Sequence, residues 1–326
     1  MNIYITLDYE LFFGKSGTVD KSIIEPTKKL MEILEKHNAK AVFFVDVGYL
    51  IRSKTLQSKH PNLKISSDKV IEQIKHLARN GHDIQLHIHS HWEDADYLND
   101  RWVFPMEHYR LHSFSDEERV HIVKKYKNYL EEISGTTVCG FRAGGWCIQP
   151  FDMLKSAFLE AEIKFDSTVF KGGKNIHGAH YYDFKDAPNS TVWKFSDNPC
   201  VIDDKGLFTE YPIASYKVSP FFFWRLIFFK KFGGSKHNQM GDGYAVKNGL
   251  SQKLRLLFRS SHTVVSIDGF KASFLEKAFL KHKKRYKSGN FVIIGHPKAF
   301  SKYSLNKLDD FLSRKKDEII VKTFST

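Results

Sequence analysis

The strongest constraint on the fold is an alternation of short apolar runs with helical patterns through roughly the first half of the chain. Asn2–Leu7 is a short β-rich run, and Ile24–His37 is helical, with Ile24, Leu30, Ile33 and Leu34 on its apolar side. Pro26 stands near that helix's start, where a missing N–H costs little. Ala41–Val45 is almost wholly apolar, as a strand covered on both faces should be. The polar stretch Ser53–Ser67 reads as a loop before a helix over Ser67–Asn80 that Gly81 ends. Strand Asp83–His87, helix Asp116–Ser134, strand Val138–Phe141, helix Phe151–Ala161 and strand Lys164–Ser167 follow in turn. This rhythm predicts an α/β fold, a parallel sheet joined by crossover helices. The pattern alone leaves closure into a barrel open.

Beyond residue 200 the rhythm breaks. Leu207–Pro212 is a candidate strand, Phe291–Ile294 resumes as a buried one, and Ser304–Ser313 is a final helix. Between them Pro220–Asn290 mixes an aromatic run, glycine-rich turns and basic helices. The formal net charge is +13, and residues 216–290, with 16 Lys and Arg against 3 Asp and Glu, carry all of it. One domain over 1–326 with an insertion at about 216–290 is the simplest account. An apolar content of 42% supports a large core and argues against disorder. Three cysteines are too few and too scattered for a disulfide framework, and fit a reducing compartment. The start, MNIYITLDYE, reads as a strand and not as an export signal, and no run is long enough to span a membrane. The expected location is therefore the cytoplasm. No nucleic-acid-binding module is recognisable, so nucleic acid is not an expected partner despite the basic charge.

Four strand ends carry residues with chemical potential. In Leu86-His87-Ile88-His89-Ser90-His91 a continuing strand would hold His87 and His91 about 13 Å apart, too far to share an ion. If the strand ends near His87 and a helical turn begins, the two become neighbours at about 6 Å. A polar strand that merely exposes histidines is an equal alternative. Asp8-Tyr9-Glu10 places two carboxylates on one side of a strand end, where α/β sheets build their sites. They suit a metal ligand and a base, or are simply two solvated acids. Gly140-Phe141-Arg142-Ala143-Gly144-Gly145-Trp146 follows another strand; its glycines allow close backbone approach and Arg142 can pair with a site carboxylate. Val292-Ile293-Ile294-Gly295-His296-Pro297 delivers a histidine to the same edge.

The order of these pieces resembles the polysaccharide deacetylase family, metal-dependent de-N-acetylases of chitooligosaccharides and peptidoglycan. Thr6-Leu7-Asp8 resembles its opening T-F-D, and Ala41–Gly48 its A-T-F-F-x-x-G strand. Gly81-His82-Asp83-Ile84 leading to His87 and His91 resembles G-H-E-I followed by H-[ST]-x-x-H. Arg142–Trp146 stands where R-x-P-x-G is usual, Phe165-Asp166-Ser167 resembles Y-D-S, and Gly295-His296-Pro297 the closing L-x-H. The resemblance implies an irregular (β/α) barrel of about seven strands and a divalent metal, with zinc the expected ion. It implies His87 and His91 as metal ligands, Asp8 as general base, His296 as general acid, Arg142 as the group orienting Asp8, and Asp166 as the orienter of His296. The family's second Asp is Tyr9 here, and Glu10 is the candidate replacement ligand; if Glu10 points away, Asp8 must bind the metal instead. Ile88 and Gly144 are further departures, and His89 is a third imidazole without an assigned role. Gly145, Trp146 and Glu210 are candidate substrate contacts.

The expected function is removal of an N-acyl group from a sugar in cell-surface polysaccharide assembly, the sugar being lipid- or nucleotide-linked. The alternatives are a small-molecule amidase on the same barrel and a catalytically inactive carbohydrate- or lipid-binding homologue. Pro220–Phe232, with Phe221, Phe222, Phe223, Trp224, Phe228 and Phe229 beside Arg225, Lys230 and Lys231, has the composition of an element that meets an anionic membrane, or of a helix packed on the barrel.

Overall fold

Seven of the apolar runs become parallel strands: β1 (Asn2–Tyr9), β2 (Val42–Asp46), β3 (Asp83–Ile88), β4 (Gly140–Ala143), β5 (Phe165–Asp166), β6 (Phe208–Glu210) and β7 (Asn290–Gly295). The computed structural model describes residues 1–176, 178–245 and 250–325. The strand order is β6-β5-β4-β3-β2-β1-β7, with Trp193–Phe195 antiparallel outside β6 and Ile320–Val321 beside the start of β1. The chain just past β6 then meets β7: Ile213 bridges Val292, and the Ala214 N–H donates to the Val292 carbonyl at 2.9 Å. A further bridge joins Ser266 to Ile294. The curled sheet thus meets itself through single bridges instead of a continuous ladder. This is the irregular (β/α) barrel that the resemblance implied.

The period-two alternation of the strands decides what faces inward. Ile3, Ile5, Leu7 and Tyr9 of β1 join the main core beneath the helices. Val42, Phe44 and Phe165 form a separate small cluster with Tyr211 and Phe324. Phe324 stacks on Tyr4 with ring centroids 4.7 Å apart, and the Phe324 and Ser325 N–H groups donate to Asp83. Because all seven strands run the same way, their C-terminal ends share one rim, and every strand-end residue singled out above is delivered there.

The expected loop Ser53–Ser67 is instead mostly helical, within Gly48–Leu56 and Pro61–Arg79. Its serines do not break the second helix, because the Ser67 hydroxyl donates to the Leu63 carbonyl one turn back at 2.7 Å. Pro61 opens that helix, a position that needs no N–H. In the 216–290 segment a hairpin of Ser215–Val218 with Ser261–Val264 flanks helices Pro220–Phe232 and Leu250–Phe258, and helix Leu275–Tyr286 returns the chain to β7. Residues 246–249 of that segment lie outside the described residues.

At Gly140 the alternation explains the absence of a side chain: a Cβ there would lie 2.0 Å from the Phe165 ring. Gly140→Ala should overpack this point and cost about 1–3 kcal/mol. Urea denaturation should show the loss, and Phe165→Leu in the same chain should recover part of it.

Candidate active site

β1 places Asp8 and Glu10 on one side of the chain and Tyr9 on the other. Tyr9 is buried against Phe43, and its hydroxyl donates to Gln73 Oε1 at 2.8 Å. It therefore takes no part in the site. Glu10 turns inward, where its Oε2 lies 3.3 Å from His87 Nε2 and 2.8 Å from His89 Nε2. Its Oε1 accepts a hydrogen bond from the Lys298 ammonium at 2.8 Å, and the same ammonium donates to the Leu11 carbonyl.

The structure groups a different pair of histidines with Glu10 from the expected His87 and His91. β3 ends at Ile88, but the backbone stays extended through His89, at φ −108° and ψ 99°. Alternation therefore brings His87 and His89 to the same side. The chain turns only at Ser90–Glu93, and His91 lies beyond that turn with its ring 5.2 Å from that of His89, outside the donor group around Glu10. His91 lies fully buried among Phe13, Phe104 and Tyr109, with neither ring nitrogen hydrogen-bonded to the protein. The group brought together is Glu10, His87 and His89, whose donor atoms lie within 4.8 Å of one another.

These three residues fit a divalent metal. Two imidazoles and a carboxylate are a zinc-type donor set that leaves a position free for water. The His87 Nδ1 lies 2.8 Å from the Arg142 carbonyl, which fixes the proton on Nδ1 and leaves Nε2 free to ligate. Burial holds His89 down to about 4 despite the neighbouring Glu10, so it is neutral as a ligand must be. Burial opposes the charge on Glu10, but the Lys298 ammonium, helped by hydrogen bonds with His87 and His89, outweighs it and keeps the carboxylate well below its usual range.

Asp8 stands beside this group. The Arg142 guanidinium donates to its Oδ1 at 2.8 Å, and its Oδ2 faces His296 Nε2 at 3.5 Å and His87 Nε2 at 4.0 Å. Burial disfavours the ionised Asp8, yet Arg142, His87 and His296 together hold its pKa far below the ordinary value. Arg142 is itself buried, donating from Nε to the Ser167 carbonyl and from Nη2 to the Ser167 hydroxyl. The other Asp8 neighbour, His296, is oriented by Asp268, which accepts from its Nδ1 and from its backbone N–H, each at 2.8 Å. Against the penalty of burial, Asp268 and Asp8 push His296 up to about 10.

Asp166, expected to orient His296, does not reach it. Its two oxygens accept from the Thr168 N–H and hydroxyl, and Thr168 in turn receives the Ala143 N–H. Glu210, expected to contact substrate, is fully buried beside Asp166 and lies outside the cavity. Burial and the neighbouring Asp166 raise its pKa well above the usual range. Gly145 and Trp146 do line the cavity of about 310 Å³ over Asp8 and Glu10, together with Tyr109 and His180. At Gly145, φ is +59° and a Cβ would lie 2.4 Å from the Tyr109 hydroxyl, so both conformation and space require glycine.

Sequence reasoning missed Lys298 and Asp268. Lys298 stands two residues after His296, and a lysine is by default a surface residue. Asp268 ends the apolar run Val264-Val265-Ser266-Ile267, the same signature that marked Asp8, but in the segment set aside as an insertion.

Residues 15–148 match the family model described as polysaccharide deacetylase. Asp8 and Glu10 precede the matched segment, and His296 follows it. No curated protein matches in sequence. Among solved structures, Puue allantoinase is similar at TM-score 0.52 and 10% identity, covering 99% of this chain and 87% of that one. A 4-alpha-glucanotransferase from Thermococcus litoralis is similar at 0.51 and 14%, covering 100% and 39%. A structure from Mycobacterium smegmatis assigned to the polysaccharide deacetylases is similar at 0.48 and 18%, covering 99% and 87%. At these identities the likeness concerns the fold.

The geometry separates the two neighbouring histidines. His89→Ala should lose most bound zinc when the purified protein is dialysed and assayed for metal content. His91→Leu, which keeps the apolar packing, should retain it. The reverse result would restore His91 as the ligand.

Proposed function

We propose that this protein is a divalent-metal-dependent hydrolase that removes an N-acyl group, expected to be N-acetyl, from a sugar used in cell-surface polysaccharide synthesis. The observation that carries this reading is the division of labour between two carboxylates two residues apart. Glu10 faces two imidazoles, and Asp8 faces Arg142 and His296. The family match over residues 15–148 supports the reaction class.

Glu10, His87 and His89 would hold the ion, which when bound makes a water nucleophilic near neutral pH and polarises the acyl oxygen. Asp8, kept ionised by Arg142, accepts the proton from the attacking water. His296, kept protonated by Asp268, gives a proton to the departing nitrogen. Arg142 fixes the direction of Asp8, and Lys298 fixes that of Glu10. Gly145 and Trp146 border the space in which the sugar lies. A second reading, hydrolysis of a free small amide, is favoured by the cavity's volume of about 310 Å³, near the low end of ligand pockets.

The carbohydrate reading is tested by a screen of lipid-linked and nucleotide-linked N-acetyl sugars and of simple amides, with zinc or cobalt added. Asp8→Asn should lower turnover by at least a hundredfold, within the usual range for a general base, while metal content stays unchanged. Activity on simple amides alone would favour the second reading. Loss of metal in Asp8→Asn would make Asp8 a ligand.

The proposed place of action is the cytoplasmic face of an anionic membrane. Helix Pro220–Phe232 buries only Phe222, while Phe221, Trp224, Phe228 and Phe232 are exposed beside Lys230 and Lys231. No described helix is long and apolar enough to cross a membrane. Replacing Phe221, Trp224 and Phe228 by Ser should abolish sedimentation with phosphatidylglycerol vesicles and leave the zinc content intact. Undiminished sedimentation would refute this placement.

A further inference from the structure

A second cavity, of about 260 Å³, opens at the other end of β7, beside Asn290 and Phe291. His296 is six residues further along, so this cavity lies about 20 Å from the candidate active site. Lys171, Lys217, Lys281 and Arg285 line it with His262 and His282, and no Asp or Glu does. A neighbouring groove of about 340 Å³ shares Lys217 and Lys281 and adds Arg225 and Lys277.

The positive charge has no internal counterweight. Nearby Lys174 and Lys283 are paired, with Asp183 and Glu318. Among the described residues Lys171, Lys217, Lys281 and Arg285 have no carboxylate within ion-pair distance. The three acids of the 216–290 segment are engaged elsewhere: Asp242 receives the Thr18 N–H, Asp268 holds His296, and Glu276 pairs with Arg314. Burial, and then Lys217, Lys171 and Arg285, lower the pKa of His262, as an uncompensated positive field would. An independent sign comes from Tyr216, which lines both cavities: its hydroxyl is buried yet has no hydrogen-bond partner in the protein. Four cations and an unused hydroxyl around a small polar space form a receptor for a compact anion. The volume is below the roughly 300–1,000 Å³ of pockets for drug-sized ligands, so a headgroup or small polyanion suits it.

We propose that this basic cavity binds a phosphate group, with Lys217 and Lys281 on the shared wall as its principal cations and the Tyr216 hydroxyl as a neutral donor. The site is separate from the hydrolytic one, and its test makes no use of deacetylation. Calorimetry of the whole protein at low salt should show binding of inorganic pyrophosphate that weakens as salt is raised. Lys217→Gln/Lys281→Gln should weaken binding at least tenfold, and Tyr216→Phe should weaken it severalfold without changing thermal stability. Lys230→Gln/Lys231→Gln, which removes the same charge from the aromatic helix, should bind pyrophosphate as the unaltered protein does. In a parallel arm, vesicles containing phosphatidic acid are compared with phosphatidylcholine alone. Binding that depends on Lys217 and Lys281 with vesicles but not with pyrophosphate would identify the phosphate as a lipid headgroup. Absence of binding to both probes, or equal loss in the two double variants, would overturn the proposal.

Discussion

The contact between the Arg142 guanidinium and Asp8 is the constraint on which the rest of the rim depends. Both groups are buried, and a buried carboxylate persists as an ion only beside a compensating charge. The same residue does more than neutralise. Its carbonyl sets the proton on His87, and its remaining N–H groups reach Ser167 beyond β5. One side chain thus ties Asp8 to β4 and β5, while its backbone ties the first imidazole, on β3, to β4. The guanidinium lies 4.1 Å from the Phe44 ring, which gives it a fixed apolar floor. A lysine could not replace it, because a single ammonium lacks the planar fork that serves three acceptors at once.

Charge matching extends around the rim. Asp8 has Arg142, Glu10 has Lys298, and Asp268 has His296. The site is therefore balanced before any ion enters. A divalent cation held by Glu10, His87 and His89 would add charge to a balanced, buried setting, and would there favour loss of a proton from a neighbouring water. Lys298 sharpens the effect by occupying one Glu10 oxygen and leaving the other for the imidazoles.

Much of this was legible in the sequence, because strand periodicity is a strong physical signal. Asp8, Glu10, His87, Arg142 and His296 all sit at ends of buried runs, and parallel strands must bring those ends together. The choice between His89 and His91 was not legible. It depends on whether the backbone turns one residue before Ile88 or one after His89, and local propensity does not resolve so small a shift. Asp268 was hidden because its run meets β7 through a single bridge, at Ser266, and not through a ladder. The role of Asp166 failed for another reason: Thr168, two residues on, satisfies it locally before any distant histidine can. Helical Ser53–Ser67 shows the same competition in reverse, with hydroxyls bonding to their own helix.

β1 precedes all the other barrel strands in this sequence, yet its two lateral partners at its start, β7 and Ile320–Val321, follow far along the chain. Phe324 then inserts against Tyr4 from a position 320 residues away. A ribosome releasing this chain in order leaves one edge of β1 without its neighbour until β7 has been made. Closure of the barrel thus waits on contacts of great sequence separation, which form slowly. During that interval the nascent chain presents an unpaired, apolar strand edge, the form most open to mispairing and to chaperone capture.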